Sequence, residues 1–495
     1  MLPRVSRSQS VPSGRGSSSA WEALDVTALV LVTGLAAVLR FVRLSDPGTL
    51  IFDETYYARD GCWYAYASKA LCGIDAEQTM VHPPLGKHLI ALGIRAFGYD
   101  AFGWRVASAI AGTLMVAVLF LLTRRLLRST LAATVTAGLL AVDWLGFVQS
   151  RVAMIDIFAA LFGLVAILLV VVDRDTAIGH RGRWWRPLRF AAGVAVGAAL
   201  ASKWSGAFAA LTVVVLVVSW ASSGQGARAG ARAPVSLRFD APSIALYLIL
   251  VPLAVYAATY VGRLHGAVVA PPWSEGAWVR SLWDRQTFML SFHSGLDVTH
   301  AYQSPAWSWP LVKRPVSYYF ETSSAGDYME IFAGGSPLVW WSALAALAYV
   351  AGRWLRGGRP AGPEGVVLAA FGLGYLPWFV IAGDRSALFL FYLLPVVPFM
   401  CLALGYVAAR LEPVGSARAA IGLFSVAVLA LFAFYYPLLA NRPLPRDAWL
   451  DRIWIFDECA RTSGGRIDTS DAGRAIGSTK TDGDDDVPPQ GWCWI

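Results

Sequence analysis

The sequence predicts an all-α polytopic integral membrane protein, and its composition and its apolar runs both predict this. The 495 residues are 56% hydrophobic and 15% charged, with a mean hydropathy of +0.52. A soluble chain of this length carries about 25% charged residues. Apolar runs of about 17–25 residues recur, each long enough to span a hydrocarbon core about 30 Å thick. A soluble domain is excluded because so many buried runs would need a far larger polar exterior.

Eleven membrane spans are predicted after a polar, disordered cytoplasmic tail at residues 1–25. The first apolar run lacks a small-residue cleavage site, so we expect an uncleaved signal anchor. The domain at 26–440 then holds all the spans, and residues 441–495 form an extracytoplasmic tail. The spans are predicted near residues 26–43, 102–123, 130–148, 154–172, 188–201, 205–222, 243–262, 338–355, 366–382, 388–408 and 419–439.

Arginine-rich short loops predict the orientation of the spans. Five such loops fall on the side of the N-terminal tail, which the positive-inside rule makes cytoplasmic. The outside face then carries loops at about 44–101 and 263–337. The second loop is rich in Trp, Tyr and Phe, which predicts interfacial helices; a membrane-resting lid and a substrate-lining role both remain open. The net charge of +8 therefore reports topology, and we expect no nucleic-acid partner.

Four of the five cysteines lie in predicted outside segments, where disulfides can form. Cys62 and Cys72 are in the first outside loop, and Cys459 and Cys493 are in the C-terminal tail. Four cysteines can pair in three ways. Proximity along the chain favours Cys62–Cys72 and Cys459–Cys493, and free thiols remain the alternative.

Two adjacent carboxylates, Asp53 and Glu54, lie at the membrane edge of the first outside loop, where ionised groups are costly. Adjacent residues point to different partners, so one is expected to act as a base while the other binds a hydroxyl, a cation or a positive side chain. A partly dry site raises a carboxylate pKa towards the range of a general base. The alternative is that Asp53 simply caps a helix.

Several ionisable side chains fall at span ends on the same outside face. Such residues line cavities or face partners, although a lone cation can also extend to lipid headgroups. Their convergence beside a carboxylate pair predicts a site for an anionic lipid headgroup such as a phosphate. They are His82, Lys87, Arg105, Arg151, Asp156, Lys203 and Arg385.

Seven motifs in order resemble the protein O-mannosyltransferases, in particular the short actinobacterial members, from about residue 35 to 440. They are FDETYYA, HPPLGK, FGWRVASAIAGTLM, SRVAMIDIF, GAALASKWSG, YQSPAWSWPLVKRPVSYYF and FLFYLLPVVPFM. The resemblance implies a GT-C fold and an inverting glycosyltransferase that moves mannose from polyprenyl-phosphate mannose to Ser or Thr hydroxyls of secreted proteins. It implies the Sec translocon as a neighbour and the cell membrane as the location.

The resemblance also implies roles for single residues. Asp53 falls on the base and Glu54 on a group that places the acceptor or the sugar. Arg105 is implied to be a phosphate or carboxylate partner, and Lys203, Arg385 and Arg151 are further expected contacts of the donor. Loop or substrate shaping is expected of His82, Lys87, Asp156, Tyr302 and Trp307.

Some alternatives remain open at this stage. A related GT-C transferase that modifies a glycolipid or cell-wall glycan would use the same groups, and a transporter without chemistry would show paired repeats that this chain lacks. A divalent cation held by Asp53 and Glu54 is possible in principle. The β-trefoil domain of eukaryotic relatives has no room in residues 263–337.

Overall fold

The computed structural model describes residues 21–176, 185–222, 237–261, 278–296, 302–381 and 387–453. Within these ranges eight helices are long and apolar enough to cross a membrane. Three shorter apolar helices, at Thr130–Ala141, Pro187–Ser202 and Gly206–Ser222, occupy the other three predicted span positions. The prediction of a multi-pass helical membrane protein is therefore confirmed.

Nineteen α-helices follow one another through the described ranges. In chain order they are α1 (Ala23–Phe41), α2 (Glu54–Tyr66), α3 (Lys69–Cys72), α4 (Leu85–Phe97), α5 (Ala101–Leu127), α6 (Thr130–Ala141), α7 (Trp144–Gln149), α8 (Asp156–Thr176), α9 (Pro187–Ser202), α10 (Gly206–Ser222), α11 (Leu237–Ala245), α12 (Val251–Ala258), α13 (Trp278–Ser294), α14 (Pro337–Leu355), α15 (Pro363–Tyr375), α16 (Pro377–Ile381), α17 (Val397–Leu411), α18 (Gly415–Leu439) and α19 (Arg446–Ile453). A π-helical turn joins α11 to α12, and short 3-10 helices cover Ala306–Leu311 and Leu390–Val396.

The long outside loop contains an antiparallel hairpin, so the all-α prediction is wrong in this one segment. Strand β1 (Val316–Thr322) pairs with β2 (Tyr328–Ala333), and Gly326, at φ +85°, lies in the connecting turn. The aromatic and β-branched residues that predicted an interfacial segment are also those that strands prefer. Trp449 of α19 packs on the hairpin, so the start of the predicted tail is attached to the body.

The third predicted span is broken by Asp143 between α6 and α7. One carboxylate oxygen accepts a hydrogen bond from the Gly146 amide (2.9 Å), and the other accepts from the Trp340 indole (2.7 Å). Asp is a favoured N-cap because its side chain satisfies an amide that the helix leaves unpaired. The cap restarts the helix as α7, and the chain then leads into the loop before α8.

Acids and arginines pair at one end of the bundle. Arg124 binds Asp25 near the start of α1 (2.6 Å), and Arg189 binds Asp173 near the end of α8 (3.3 Å). Asp156, the first residue of α8, therefore lies at the opposite end, on the side of the first outside loop. The predicted site and these arginines occupy opposite ends of the membrane domain.

A disulfide joins Cys62 of α2 to Cys72 of α3, the pairing that proximity favours. Cys401 in α17 is a buried thiol. Cys459 and Cys493 lie outside the described residues, so their predicted pairing stays a prediction.

Candidate active site

Asp53 is the residue that immediately precedes α2, in the N-cap position. Its backbone carbonyl accepts the amides of Tyr56 (3.0 Å) and Tyr57 (2.9 Å), but its side chain makes no capping hydrogen bond. The preceding Phe52 has a φ of +46°, in the left-handed region. This conformation is rare for a bulky residue and occurs more often at functional sites than elsewhere. The capping alternative therefore does not describe this side chain.

The environment of Asp53 makes its carboxylate a stronger base than usual. Burial raises its pKa to about 6, while the Lys203 ammonium lowers the pKa and the Asp156 carboxylate raises it. A group with such a pKa is ionised at neutral pH and still accepts a proton readily. This is the range in which general bases work best.

Lys203 lies in the turn between α9 and α10 and forms a buried ion pair. Its Nζ is 2.7 Å from Asp156 Oδ1. The same ammonium lies 4.6 Å from the centre of the Tyr392 ring and 5.9 Å from that of Phe391. Aromatic faces attract cations, so the carboxylate and the two rings fix the position of the charge.

Aromatic rings connect the Asp53 turn to strand β1 and to the 3-10 helix at Leu390–Val396. Phe52 stacks on Tyr318 with ring centres 4.3 Å apart, and Phe391 meets both rings edge-on at 5.8 and 5.9 Å. The Tyr318 hydroxyl accepts a hydrogen bond from Gln149 Nε2 (2.7 Å). Burial, followed by the Asp156 and Asp53 charges, raises the pKa of Tyr318, so this phenol keeps its proton.

A cavity of about 360 Å³ opens beside Lys203. It lies between the turn after α9, helices α10, α13 and α16, and the 3-10 helix that carries Tyr392. Its polar lining includes His82, Lys203, Ser205 and His293, and its apolar lining includes Phe208, Leu290, Trp378 and Ile381. The cavity thus combines the Lys203 ammonium with a largely apolar wall.

A larger groove of about 860 Å³ lies at the opposite end of the bundle, between α1, α6 and α18. Its lining includes Arg124 and Glu412 but none of the residues around Asp53. By volume alone, this groove would be the better candidate for a substrate-binding site. The charges favour the smaller cavity, because its lining includes Lys203, whose ammonium pairs with Asp156 and interacts electrostatically with Asp53.

Glu54 does not line this cavity and binds Arg105 instead, so its expected role in placing the acceptor or the sugar stays a prediction. Its Oε1 accepts from Arg105 Nε (2.7 Å) and the Ala153 amide (2.9 Å). Its Oε2 accepts from Arg105 Nη2 (2.8 Å) and the Ile51 amide (3.1 Å). Both oxygens are thus occupied and fully buried. The expectation that Asp53 and Glu54 can hold a divalent cation stays a prediction.

Arg105 binds a carboxylate, one of the two kinds of partner expected of it, and its expected contact with the donor phosphate stays a prediction. Besides Glu54, its guanidinium donates to the carbonyls of Leu44 (3.2 Å), Pro47 (2.8 Å) and Thr49 (3.1 Å). These five hydrogen bonds use all five N–H groups of an arginine. Arg105 therefore fixes residues 44–49, the segment of the first outside loop that leads to Asp53, by binding their carbonyls.

Arg151, also expected to contact the donor, instead closes the C-terminal end of α1. Its Nη1 donates to the carbonyls of Leu39 (3.1 Å), Arg40 (2.9 Å) and Val42 (2.8 Å), and its Nη2 donates to that of Arg43 (3.0 Å). The last carbonyls of a helix have no partner within it, and a cation there is favoured by the helix dipole. These four carbonyls give Arg151 a structural role at the end of α1, and its expected contact with the donor stays a prediction.

The two basic residues of the HPPLGK motif have different positions. Lys87 is fully buried in a network with Glu77 and with Asp60 (3.5 Å), so it shapes the loop and does not reach the cavity. His82 lines the cavity, with its ring centre 5.3 Å from that of His293. His293, on α13, was missed because a lone histidine on an amphipathic helix carries no motif.

Tyr302 and Trp307 do not line the described cavity. Tyr302 is buried beside Glu330, and burial raises the pKa of its phenol. Trp307 is 53% exposed, with Lys313 Nζ 5.3 Å from its ring centre. Arg385 lies outside the described residues. Sequence reasoning also missed Tyr318 and Tyr392, although both fall within motifs that carry the family resemblance. In the described part of the chain, no three His, Cys, Asp or Glu side chains gather as a metal site.

Two family models match the chain. Residues 98–265 match the model for dolichyl-phosphate-mannose-protein mannosyltransferase, and residues 278–457 match that for the C-terminal four-transmembrane region of protein-O-mannosyltransferase. A polyprenol-phosphate-mannose–protein mannosyltransferase of Mycobacterium tuberculosis is 33% identical over 480 residues, covering 86% of this chain and 90% of that one. The Corynebacterium glutamicum enzyme of the same name is 29% identical, covering 88% and 94%.

Solved structures share the fold. The Saccharomyces cerevisiae protein O-mannosyltransferase Pmt1–Pmt2 complex bound to the sugar donor aligns with a TM-score of 0.69 at 15% identity, over 88% of this chain and 92% of that chain. ArnT from Cupriavidus metallidurans bound to undecaprenyl phosphate aligns with a TM-score of 0.52 at 19% identity, over 87% and 69%. The GT-C fold expected from the motifs is therefore confirmed.

Proposed function

The chain belongs to the protein O-mannosyltransferase family, and we propose that it moves mannose from polyprenyl-phosphate mannose to Ser and Thr hydroxyls of proteins, with Asp53 as the general base. The observation that carries this proposal is that the Asp53 carboxylate makes no capping hydrogen bond and interacts electrostatically with Lys203, which lines the cavity. The mycobacterial and corynebacterial relatives carry the name of this activity.

The lining of the cavity suits a donor that has a phosphate group and an apolar polyprenyl chain. Lys203 has three N–H donors, of which Asp156 takes one. Another is available for a phosphate oxygen, and the apolar residues Phe208, Leu290 and Trp378 would contact the first isoprene units. The ammonium would also stabilise the charge that grows on the phosphate as it leaves, which lowers the barrier without a strong acid.

The proposed chemistry is a single displacement with inversion at the sugar. Asp53 removes the proton from the acceptor hydroxyl while that oxygen bonds to the anomeric carbon. The bond from this carbon to the phosphate oxygen breaks, and polyprenyl phosphate departs with the electron pair. A pKa of about 6 lets Asp53 be ionised before the reaction and take the proton during it.

We also propose that the site faces the outside of the cell membrane, with a cytoplasmic N-terminus and acceptors that emerge from the Sec translocon. The separation of the arginine pairs, such as Arg124–Asp25, from the Asp53 end supports this orientation under the positive-inside rule. Residues 1–25 would then be a cytoplasmic tail, 26–440 the catalytic domain and 441–495 an outside segment.

The test of the function is an acceptor assay with the full chain in membranes. Radiolabelled polyprenyl-phosphate mannose is supplied with a Ser/Thr-rich peptide or with the same peptide in which every Ser and Thr is Ala. We expect label in the first peptide alone, with the product linkage inverted relative to the donor. Label that enters only glycolipid would refute the protein-acceptor proposal and favour the glycolipid transferase alternative.

A further inference from the structure

Asp156 is a buried acid with only half of its carboxylate engaged. It is the first residue of α8 and is 3% exposed. Its Oδ1 accepts the Lys203 ammonium at 2.7 Å, whereas its Oδ2 is buried and has no hydrogen-bond partner among the described residues. Folded proteins rarely leave a buried polar atom unpaired, and those that do so usually have a reason in function or in a bound group.

The position of this oxygen points to the reaction site. Its partner Lys203 lines the cavity, and the Asp156 charge raises the pKa of Asp53. The Ala153 amide, three residues earlier, donates to Glu54 Oε1 at 2.9 Å. Glu54 thus fastens the loop that carries Asp156 to the turn that carries Asp53. The two acids are held as one unit, and Lys203 interacts with both.

We propose that Asp156 Oδ2 accepts a hydrogen bond from a hydroxyl group of the transferred sugar. This inference rests on the function proposed above. The anomeric carbon is bonded directly to the phosphate oxygen, so a phosphate held by Lys203 brings the sugar ring next to the carboxylate that pairs with Lys203. Ionised carboxylates accept strongly from hydroxyl groups, which satisfies the oxygen that the protein leaves unpaired.

The same contact accounts for selectivity among sugars. A site built to hydrogen-bond a substrate hydroxyl rejects an analogue without it, because the buried oxygen is then left unpaired. The negative charge also lies near a ring that becomes positive in an oxocarbenium-like transition state, so the interaction strengthens as the reaction proceeds. Asp156 is therefore expected to act more on turnover than on donor affinity.

The test compares wild type with Asp156→Asn, using polyprenyl-phosphate mannose and its 2-, 3-, 4- and 6-deoxy analogues. In wild type, we expect the deoxy donor that lacks the contacting hydroxyl to react about 10–160-fold more slowly than mannose, the loss of one hydrogen bond to a charged group. In Asp156→Asn, mannose transfer should fall, and the disadvantage of that one analogue should shrink several-fold, because a neutral amide binds a hydroxyl more weakly than a carboxylate does. Because rates are compared within each variant, the amount of folded protein cancels.

The possible failures are distinguishable. If Asp156→Asn retains the wild-type discrimination against every deoxy donor, Asp156 is only a counter-ion of Lys203 and the inference is overturned. If wild type transfers no mannose at all, the proposed function fails first. If Asp156→Asn is lost from the membrane because Lys203 is left unpaired, Asp156→Glu keeps the charge that pairs with Lys203 but moves the second oxygen. Altered discrimination among the deoxy donors in Asp156→Glu would then support the contact, and unchanged discrimination would overturn it.

Discussion

The buried contacts of Glu54 lead to a prediction about the stability of the folded protein. Its carboxylate accepts four hydrogen bonds, two from Arg105 and one each from the amides of Ile51 and Ala153. In Glu54→Gln, an NH₂ group faces two of these donors, so two charge-assisted bonds are lost. At about 1.5–3 kcal/mol each, the cost is about 3–6 kcal/mol. This agrees with about 3–5 kcal/mol for breaking a buried ion pair.

The assay is thermal unfolding of the purified protein in detergent, combined with acceptor kinetics. We expect the unfolding midpoint of Glu54→Gln to fall by several degrees, while the KM for the acceptor peptide stays near the wild-type value. Asp75→Asn, which removes an exposed acid from the same loop, is the matched control and should change neither quantity. An unchanged midpoint together with a raised acceptor KM would show that Glu54 binds substrate and would refute this reasoning.

Three further predictions concern the pair and the cation. Glu54→Gln combined with Arg105→Gln should cost less stability than the sum of the two single variants, because each single change leaves a buried group unpaired; additive costs would contradict the ion pair. The rate of mannose transfer should fall as the pH drops through about 6, because Asp53 becomes protonated near its raised pKa and can no longer act as a base. A rate that stays constant well below this pH would exclude Asp53 as the base. Lys203→Gln should raise the donor KM and move the acid limb of the pH profile upward, because Lys203 lowers the pKa of Asp53. The control is Lys69→Gln, which changes an exposed lysine that pairs with Asp75. Equal effects of the two variants would show that Lys203 does not contact the donor.

The positions of the spans follow from the sequence because apolar length is a local property. Each predicted run corresponds to a described helix. The hairpin from Val316 to Ala333 was not predicted, since its Tyr, Phe and Val residues suit both a strand and a membrane interface. What decides between them is the packing of β1 against Phe52 and of Trp449 on the strands, and these contacts join segments far apart in the chain.

The candidate site was only partly predictable for a similar reason. Asp53 and Glu54 are equivalent in the sequence, and their roles separate only because the backbone turns at Phe52 and directs Glu54 into the Arg105 guanidinium. Arg105 and Arg151 both bind backbone carbonyls between residues 39 and 49, more than 50 positions away. An arginine at a span end therefore predicts a buried partner but not whether this is a phosphate, a carboxylate or the end of a helix.

The measurement that tests the central claim most directly is the single-turnover rate of mannose transfer to a Ser/Thr peptide in wild type and in Asp53→Asn. Asparagine keeps the shape but cannot take the proton, so we expect a rate lower by about 10²–10⁴-fold, with donor affinity unchanged and wild-type behaviour in Asp75→Asn. If Asp53→Asn transfers mannose at the wild-type rate, Asp53 is not the base and the account is contradicted.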